Sequence, residues 1–159
     1  RTETAQVYAF VDSEEKPFVV HLSSPPKFWK GLCDVAGHPE WVEDERFKDK
    51  AARRKSYDIL HAGFQDIFKA KPRDHWLDAL RKADVPSAPI YTLDEALADP
   101  QVQHLDMVTE LDHPKVGKVK LLTGAVKFSD TPVEIKTPAP MHGQHTAEIL
   151  ARLKNRETK

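Results

Sequence analysis

The stretch that most restricts the fold lies near the end of the chain: Thr131-Pro132-Val133-Glu134-Ile135-Lys136-Thr137-Pro138-Ala139-Pro140-Met141-His142-Gly143. Proline offers no N–H to a ladder, so a run carrying Pro132, Pro138 and Pro140 cannot be a central strand. It reads as an extended arm. Gly143 then releases the chain into a last helix whose apolar positions are Ala147, Leu150 and Leu153. Such an arm lies along a surface and docks its helix there. The chain before it is small for that purpose, so a larger body beyond these 159 residues is expected.

The preceding segments follow a simple order. Val7–Val11 and Phe18–Leu22 are β-branched and aromatic runs separated by the polar loop 12–17, which predicts a β-hairpin. Ser23-Ser24-Pro25-Pro26 supplies a serine cap and a first-turn proline for a helix. Its stripe is Phe28, Trp29, Leu32, Cys33 and Val35-Ala36, and Gly37 closes it. An irregular link follows, anchored by Trp41 and Phe47. One long helix is predicted from Lys50 to Ala70, with the stripe Tyr57, Leu60, Phe64, Ile67, Phe68. Pro72 ends it and opens another, which buries Trp76, Leu77, Leu80 and Ala83. Val85–Tyr91 is extended. Thr92 with Glu95 forms a capping-box pattern for a helix over Leu93–Ala98, and Asp99-Pro100 starts a further short one. Met107–Leu111 and Lys118–Leu122 alternate as strands. Helices do not alternate with strands, so the fold class is α+β: a small domain over residues 1–126, then an arm and helix over residues 127–159.

Composition is needed only to close off alternatives. With 40% hydrophobic and 31% charged residues, the chain has the material for a core. A net charge of -1 does not favour nucleic acid or an acidic membrane surface, and no apolar run approaches the roughly 20 residues of a membrane span. Cys33 is the single cysteine, which fits a reducing, cytoplasmic compartment. Both methionines are internal and the chain opens on Arg1. That pattern is expected of a processed protein or of the C-terminal piece of a longer polypeptide.

No catalytic constellation emerges from the residues themselves. His142-x-x-His145 is half a metal site at most, with no C-x-x-C or H-E-x-x-H to complete it. Cys33 sits on an apolar helix face, where a thiolate is disfavoured. Lys48, Lys50, Arg53, Arg54 and Lys55 could hold a phosphate, but a solvated face beside Asp44, Glu45 and Asp49 is the favoured reading. Asp74, Asp78, Glu95 and Asp99 read as caps and exposed faces. The six glycines are scattered, without a phosphate loop. Catalytic, cofactor-binding and metal residues are each assigned as none.

A set of motifs nonetheless resembles one family. Phe28-Trp29-x-x-Leu32-Cys33, Gly37-His38-Pro39-Glu40-Trp41, Asp44-x-Arg46-Phe47 and Arg54 come first. Trp76-x-x-x-Leu80, Val85-Pro86-Ser87-Ala88-Pro89 and Asp99-Pro100-Gln101-Val102 follow. The ending Lys127-Phe128-Ser129-x-Thr131-Pro132, then Pro138-Ala139-Pro140-x-x-Gly143-Gln144-His145-Thr146-x-x-Ile149-Leu150, carries most of the resemblance. In this order they resemble the small domain of family III CoA-transferases, the formyl-CoA and carnitine CoA-transferase group.

The resemblance implies transfer of coenzyme A from an acyl-CoA to a free carboxylic acid. An aspartate nucleophile would carry it through mixed-anhydride and aspartyl-CoA thioester steps. That aspartate and most CoA contacts belong to the family's large domain, so none is placed on this chain and the chain alone is expected to be inactive. The implied partners are the chain's own large domain, a second subunit interlocked with it in a homodimer, and an acyl-CoA substrate. No cofactor beyond that substrate, no nucleic acid and no membrane is expected. His104-Leu105 and Leu153-Lys154 depart from the family pattern, which leaves the subfamily open. An acyl-CoA racemase on the same scaffold and a free-standing interaction module are the alternatives.

Overall fold

The inward positions of the first hairpin set the core. In a strand, alternate side chains face one side. Tyr8 and Phe10 of β1 (Val7–Val11) and Phe18 and Val20 of β2 (Pro17–His21) are therefore buried together, while Ala9 points out. The computed structural model describes residues 6–22 and 26–157, with side chains as far as Lys154. The expected serine cap at Ser23-Ser24 lies outside the described residues.

Two compact units are present, Arg1–Tyr91 and Thr92–Lys159. In the first, β1 and β2 pair antiparallel with Tyr8 opposite Val20 and Phe10 opposite Phe18. A third strand, β3 (Ser87–Pro89), joins β2 antiparallel, giving the order β1-β2-β3. The sequence reads this segment as extended, with two prolines, a residue type poorly suited to a strand. The pairing reconciles the two. Pro86 and Ile90 bond β2 (His21 N donates to Pro86 O at 2.9 Å, Ile90 N to Pro17 O at 3.0 Å). Pro89 thus falls on the outward side of an edge strand, where a missing N–H costs nothing.

Four helices cover the inner face: α1 (Pro26–Ala36), α2 (Lys50–Lys55), α3 (Tyr57–Phe68) and α4 (Arg73–Lys82), with a 3-10 turn over Pro39–Val42. The predicted stripes face the core, with Phe28, Val35, Tyr57, Ile67 and Ala83 only partly buried at its margin. Trp29, Leu32, Cys33 and Ala36 of α1, Leu60, Phe64 and Phe68 of α3, and Trp76, Leu77 and Leu80 of α4 form one cluster with the sheet, and Phe47 joins it. Gly37 ends α1 at φ 78°, the left-handed conformation that favours glycine after a helix.

The single long helix expected from Lys50 to Ala70 is two. Ser56 interrupts it at φ -101°, ψ 20°, and its hydroxyl donates to the Arg46 carbonyl at 3.2 Å. A serine side chain that ties the backbone to a distant carbonyl competes with regular helix at that point.

At Gly31, α1 passes close to the segment entering β3. A methyl group there would stand 2.8 Å from Val85 Cγ2 and 3.1 Å from the Ala83 carbonyl oxygen. The carbonyl belongs to backbone and cannot swing aside. Gly31→Ala is therefore expected to destabilise the first unit by about 1–3 kcal/mol, the usual cost of overpacking, despite alanine's better helix propensity. Urea denaturation followed by tryptophan fluorescence reads this, since Trp29, Trp41 and Trp76 all lie in this unit.

The second unit is built from local signals. In α5 (Leu93–Ala98) the capping box is complete: Thr92 Oγ1 accepts from Glu95 N at 3.3 Å, and Glu95 Oε2 accepts from Thr92 N at 2.9 Å. Asp99 caps α6 (Pro100–His104) by accepting from Gln101 N at 2.8 Å. Strands β4 (Val108–His113) and β5 (Gly117–Leu122) pair antiparallel, and Lys118 bridges to Glu110 at 2.9 Å on the charged face of the hairpin. The arm runs without regular structure to α7 (Thr146–Glu157).

Candidate functional site

The residues weighed for chemistry sort into structural roles. The Cys33 side chain is fully buried, and burial, helped by Asp34, pushes its thiol up to about 12. It packs as a small apolar side chain. His142 and His145 are both exposed, in the turn that opens α7, and His145 Nδ1 lies 3.7 Å from Glu148 Oε2. Among the described residues no group of three or more His, Cys, Asp or Glu side chains stands close enough to hold a metal ion. Asp78 pairs with Arg81 at 2.6 Å on the surface of α4, and Glu95 and Asp99 serve as caps.

The basic cluster differs from its expected solvated face at one position. Lys48 pairs with Glu45, and Arg54 and Lys55 are exposed, but Arg53 is 8% exposed. Its Nη1 donates to Phe47 O at 2.9 Å and its Nε to Gln6 Oε1 at 3.1 Å. The guanidinium lies 4.9 Å from the Trp29 ring centroid. Burial pulls its pKa below the usual arginine range, with Tyr8 and Asp49 acting the other way. Arg53 therefore ties the 44–49 loop and Gln6 to α1, and leaves the phosphate reading without its central cation. Asp49 accepts from Ala52 N at 2.8 Å as the cap of α2.

Two further buried charges were not picked out in the sequence. Asp12 accepts from Glu14 N at 2.7 Å, from Lys16 N at 2.8 Å and from Arg73 N. Arg73 is 6% exposed, at the start of α4, with its guanidinium 5.3 Å from the Tyr91 ring centroid. Their only sequence signal was an aspartate opening a hairpin loop.

Most of the exposed large apolar side chains among the described residues lie in the second unit. None of its described residues is buried. Leu93 is 69% exposed, Phe128 54%, and Ile149, Leu150 and Leu153 of α7 are each about half exposed. Leu93 and Leu97 of α5 line an open groove of about 300 Å³ with Val108, Leu121 and Leu122 of the hairpin.

The chain is similar to known proteins over nearly its whole length. The family model described as CoA-transferase family III matches residues 1–146. A formyl-CoA:oxalate CoA-transferase of Rhodopseudomonas palustris (strain BisB18) is 30% identical over 142 residues, 89% of this chain and 33% of the relative. The human succinyl-CoA:glutarate CoA-transferase is 30% identical over 119 residues, 75% of this chain and 27% of the relative. The crystal structure of a CAIB/BAIF family protein from Brucella suis superposes with a TM-score of 0.77 at 29% identity, over 96% of this chain and 39% of that one. The chain thus spans about a third of the length of the curated relatives it matches.

Proposed function

This chain belongs to CoA-transferase family III, and from that premise we propose that it is the small-domain portion of an acyl-CoA:carboxylate CoA-transferase. One observation carries the reading: the match runs along almost all of this chain yet covers only 33% of the relative. The second unit supports it, with exposed leucines in place of a core. A segment of that kind is expected to take its stability from a surface supplied by another body.

In this reading the reacting aspartate lies outside residues 1–159. Its carboxylate attacks the thioester carbon and the CoA thiolate leaves, giving a mixed anhydride. The thiolate then attacks the aspartyl carbonyl, the first acid departs as carboxylate, and an aspartyl-CoA thioester remains. The acceptor carboxylate repeats the two steps in reverse order. The aspartate thereby replaces one hard acyl exchange with easier ones, and backbone N–H donors would hold each tetrahedral oxyanion. The small domain serves as scaffold, its arm returning to the large domain of an interlocked homodimer in the cytoplasm. The acyl-CoA is a substrate, and no resident cofactor is assigned.

The expected result is no acyl exchange between an acyl-CoA and a dicarboxylate with the 159-residue chain, and no CoA binding by calorimetry at about 1 mM, where even a weak site would register. Turnover by this chain alone would overturn the proposal. In the full-length enzyme, hydroxylamine should trap one aspartate outside these residues as its hydroxamate. Trapping of Asp44 or Asp99 would contradict the assignment equally.

A further inference from the structure

Among the described residues β1 is an edge strand, and its outward groups are not left to solvent. The hydrogen-bonded pairs with β2 involve Tyr8 and Phe10, so Val7, Ala9 and Val11 face away from it. On that side stand three residues of α3 spaced by four. Tyr57 OH donates to Val7 O at 2.9 Å, His61 Nε2 to Ala9 O at 2.8 Å, and Gln65 Nε2 to Val11 O at 2.7 Å. Gln65 Oε1 also accepts from Val11 N at 3.0 Å. The Gln65 amide thus makes both bonds that a peptide group of a neighbouring strand would make. Because its partner is a carbonyl, His61 carries its proton on Nε2.

The fit follows from the two repeats. Four helical residues rise about 6.0 Å, and two strand residues advance about 6.8 Å. A helix running parallel to a strand therefore stays in step with it for about three rungs, the mismatch being absorbed by side chains of different reach. Leu60, Phe64 and Phe68, on the adjoining face of α3, fix the helix at that distance. The opposite edge, β3, is three residues long and carries Pro89 outward, so it has less to offer a new strand.

We propose that Tyr57, His61 and Gln65 act as a surrogate fourth strand that withholds the β1 edge from antiparallel pairing with a second copy of this chain. An unsealed edge would present the same row of groups on two copies. These can pair about a two-fold axis, β1 against β1.

The His61 ring stacks on Phe10 with centroids 5.2 Å apart, so the test uses His61→Phe/Gln65→Met, which keeps an aromatic ring there and the helix bulk while removing the bonds to Ala9 and Val11. Two readouts apply to the full 159-residue chain. In the double variant the Val11 amide should exchange about tenfold faster, while the Tyr8 and Phe10 amides, bonded to β2, stay at wild-type rates. Sedimentation should show self-association about tenfold tighter than wild type. Adding Ala9→Pro, which removes an N–H facing away from β2, should return association to the wild-type level. Unchanged Val11 exchange, wild-type association by the folded double variant, or tightened association that persists with Ala9→Pro would each overturn the proposal. Should the double variant fail to fold, Gln65→Asn, one methylene too short to reach Val11, carries the exchange measurement with the same two outcomes.

Discussion

Phe64→Ala is expected to remove about 3–5 kcal/mol from the first unit, the range for deleting a buried aromatic ring. Phe64 is fully buried on α3. Its ring stands 5.0 Å from Trp41, 6.0 Å from Trp29 and from Phe68, and 6.1 Å from Phe10, centroid to centroid. It therefore joins the sheet, α1 and the 38–47 link through one side chain. Collapse cannot fill the space, because the neighbouring rings are rigid and held by other contacts; Trp76 Nε1, for example, donates to Phe68 O at 2.9 Å. Urea denaturation with tryptophan fluorescence should show a lower midpoint at an unchanged slope. Phe64→Leu should recover part of the loss. A midpoint shift worth under about 1 kcal/mol would mean that the aromatic cluster is not what holds these elements together.

Phe64 was legible in the sequence because it belongs to a periodic stripe. The same holds for the face of α4 and the caps at Thr92 and Asp99, while the first hairpin was legible from its β-branched and aromatic runs. Periodicity and capping are local, and a partner three or four residues away is visible in a window of that size. What escaped is non-local. β3 pairs with a strand about seventy positions earlier and contains the residue type that argues against strands. Ser56 breaks a helix by bonding Arg46, ten residues back. Arg53 lies in a run of cations, so it reads as solvated, and only the assembled positions of Gln6, Phe47 and Trp29 make it a core residue. His61 and Gln65 look like the wet flank of an amphipathic helix, and Tyr57 like part of its apolar stripe, until β1 is placed beside them. The family resemblance drew on order and spacing over the whole chain, a longer-range signal than any of these. For the active site the reason is different: in the function proposed above, the reacting aspartate lies outside residues 1–159.

Asp12 is the strongest case of a charge whose role comes only from the fold. It lies in the hairpin loop, yet its carboxylate is buried and reaches the start of α4, sixty-one residues on, through Arg73 N. Ser13 N reinforces the junction by donating to Lys71 O at 3.3 Å. Burial by itself would raise the carboxyl pKa. The N–H groups of Lys16, Arg73 and Glu14, with the Lys16 ammonium, outweigh that and hold it below the ordinary carboxylate range. The first turn of a ten-residue helix also favours an anion at this place. Asp12→Ala leaves three backbone donors without their acceptor in a site with little water, and is expected to cost about 3 kcal/mol. Asp12→Asn keeps the shape but offers one oxygen, so it should cost less and remove the titration. Because the folded pKa is depressed, the charged form's contribution is complete above the unfolded value and is lost as pH falls through the folded one. Below about pH 4 the stability of the wild type should therefore converge on that of Asp12→Asn, whereas near neutrality the two should be furthest apart. Other depressed carboxyls, such as Asp44 and Glu110, titrate in both proteins and cancel in the difference. A difference that stays constant from neutrality to pH 3 would show that the charge on Asp12 does not hold the hairpin to α4.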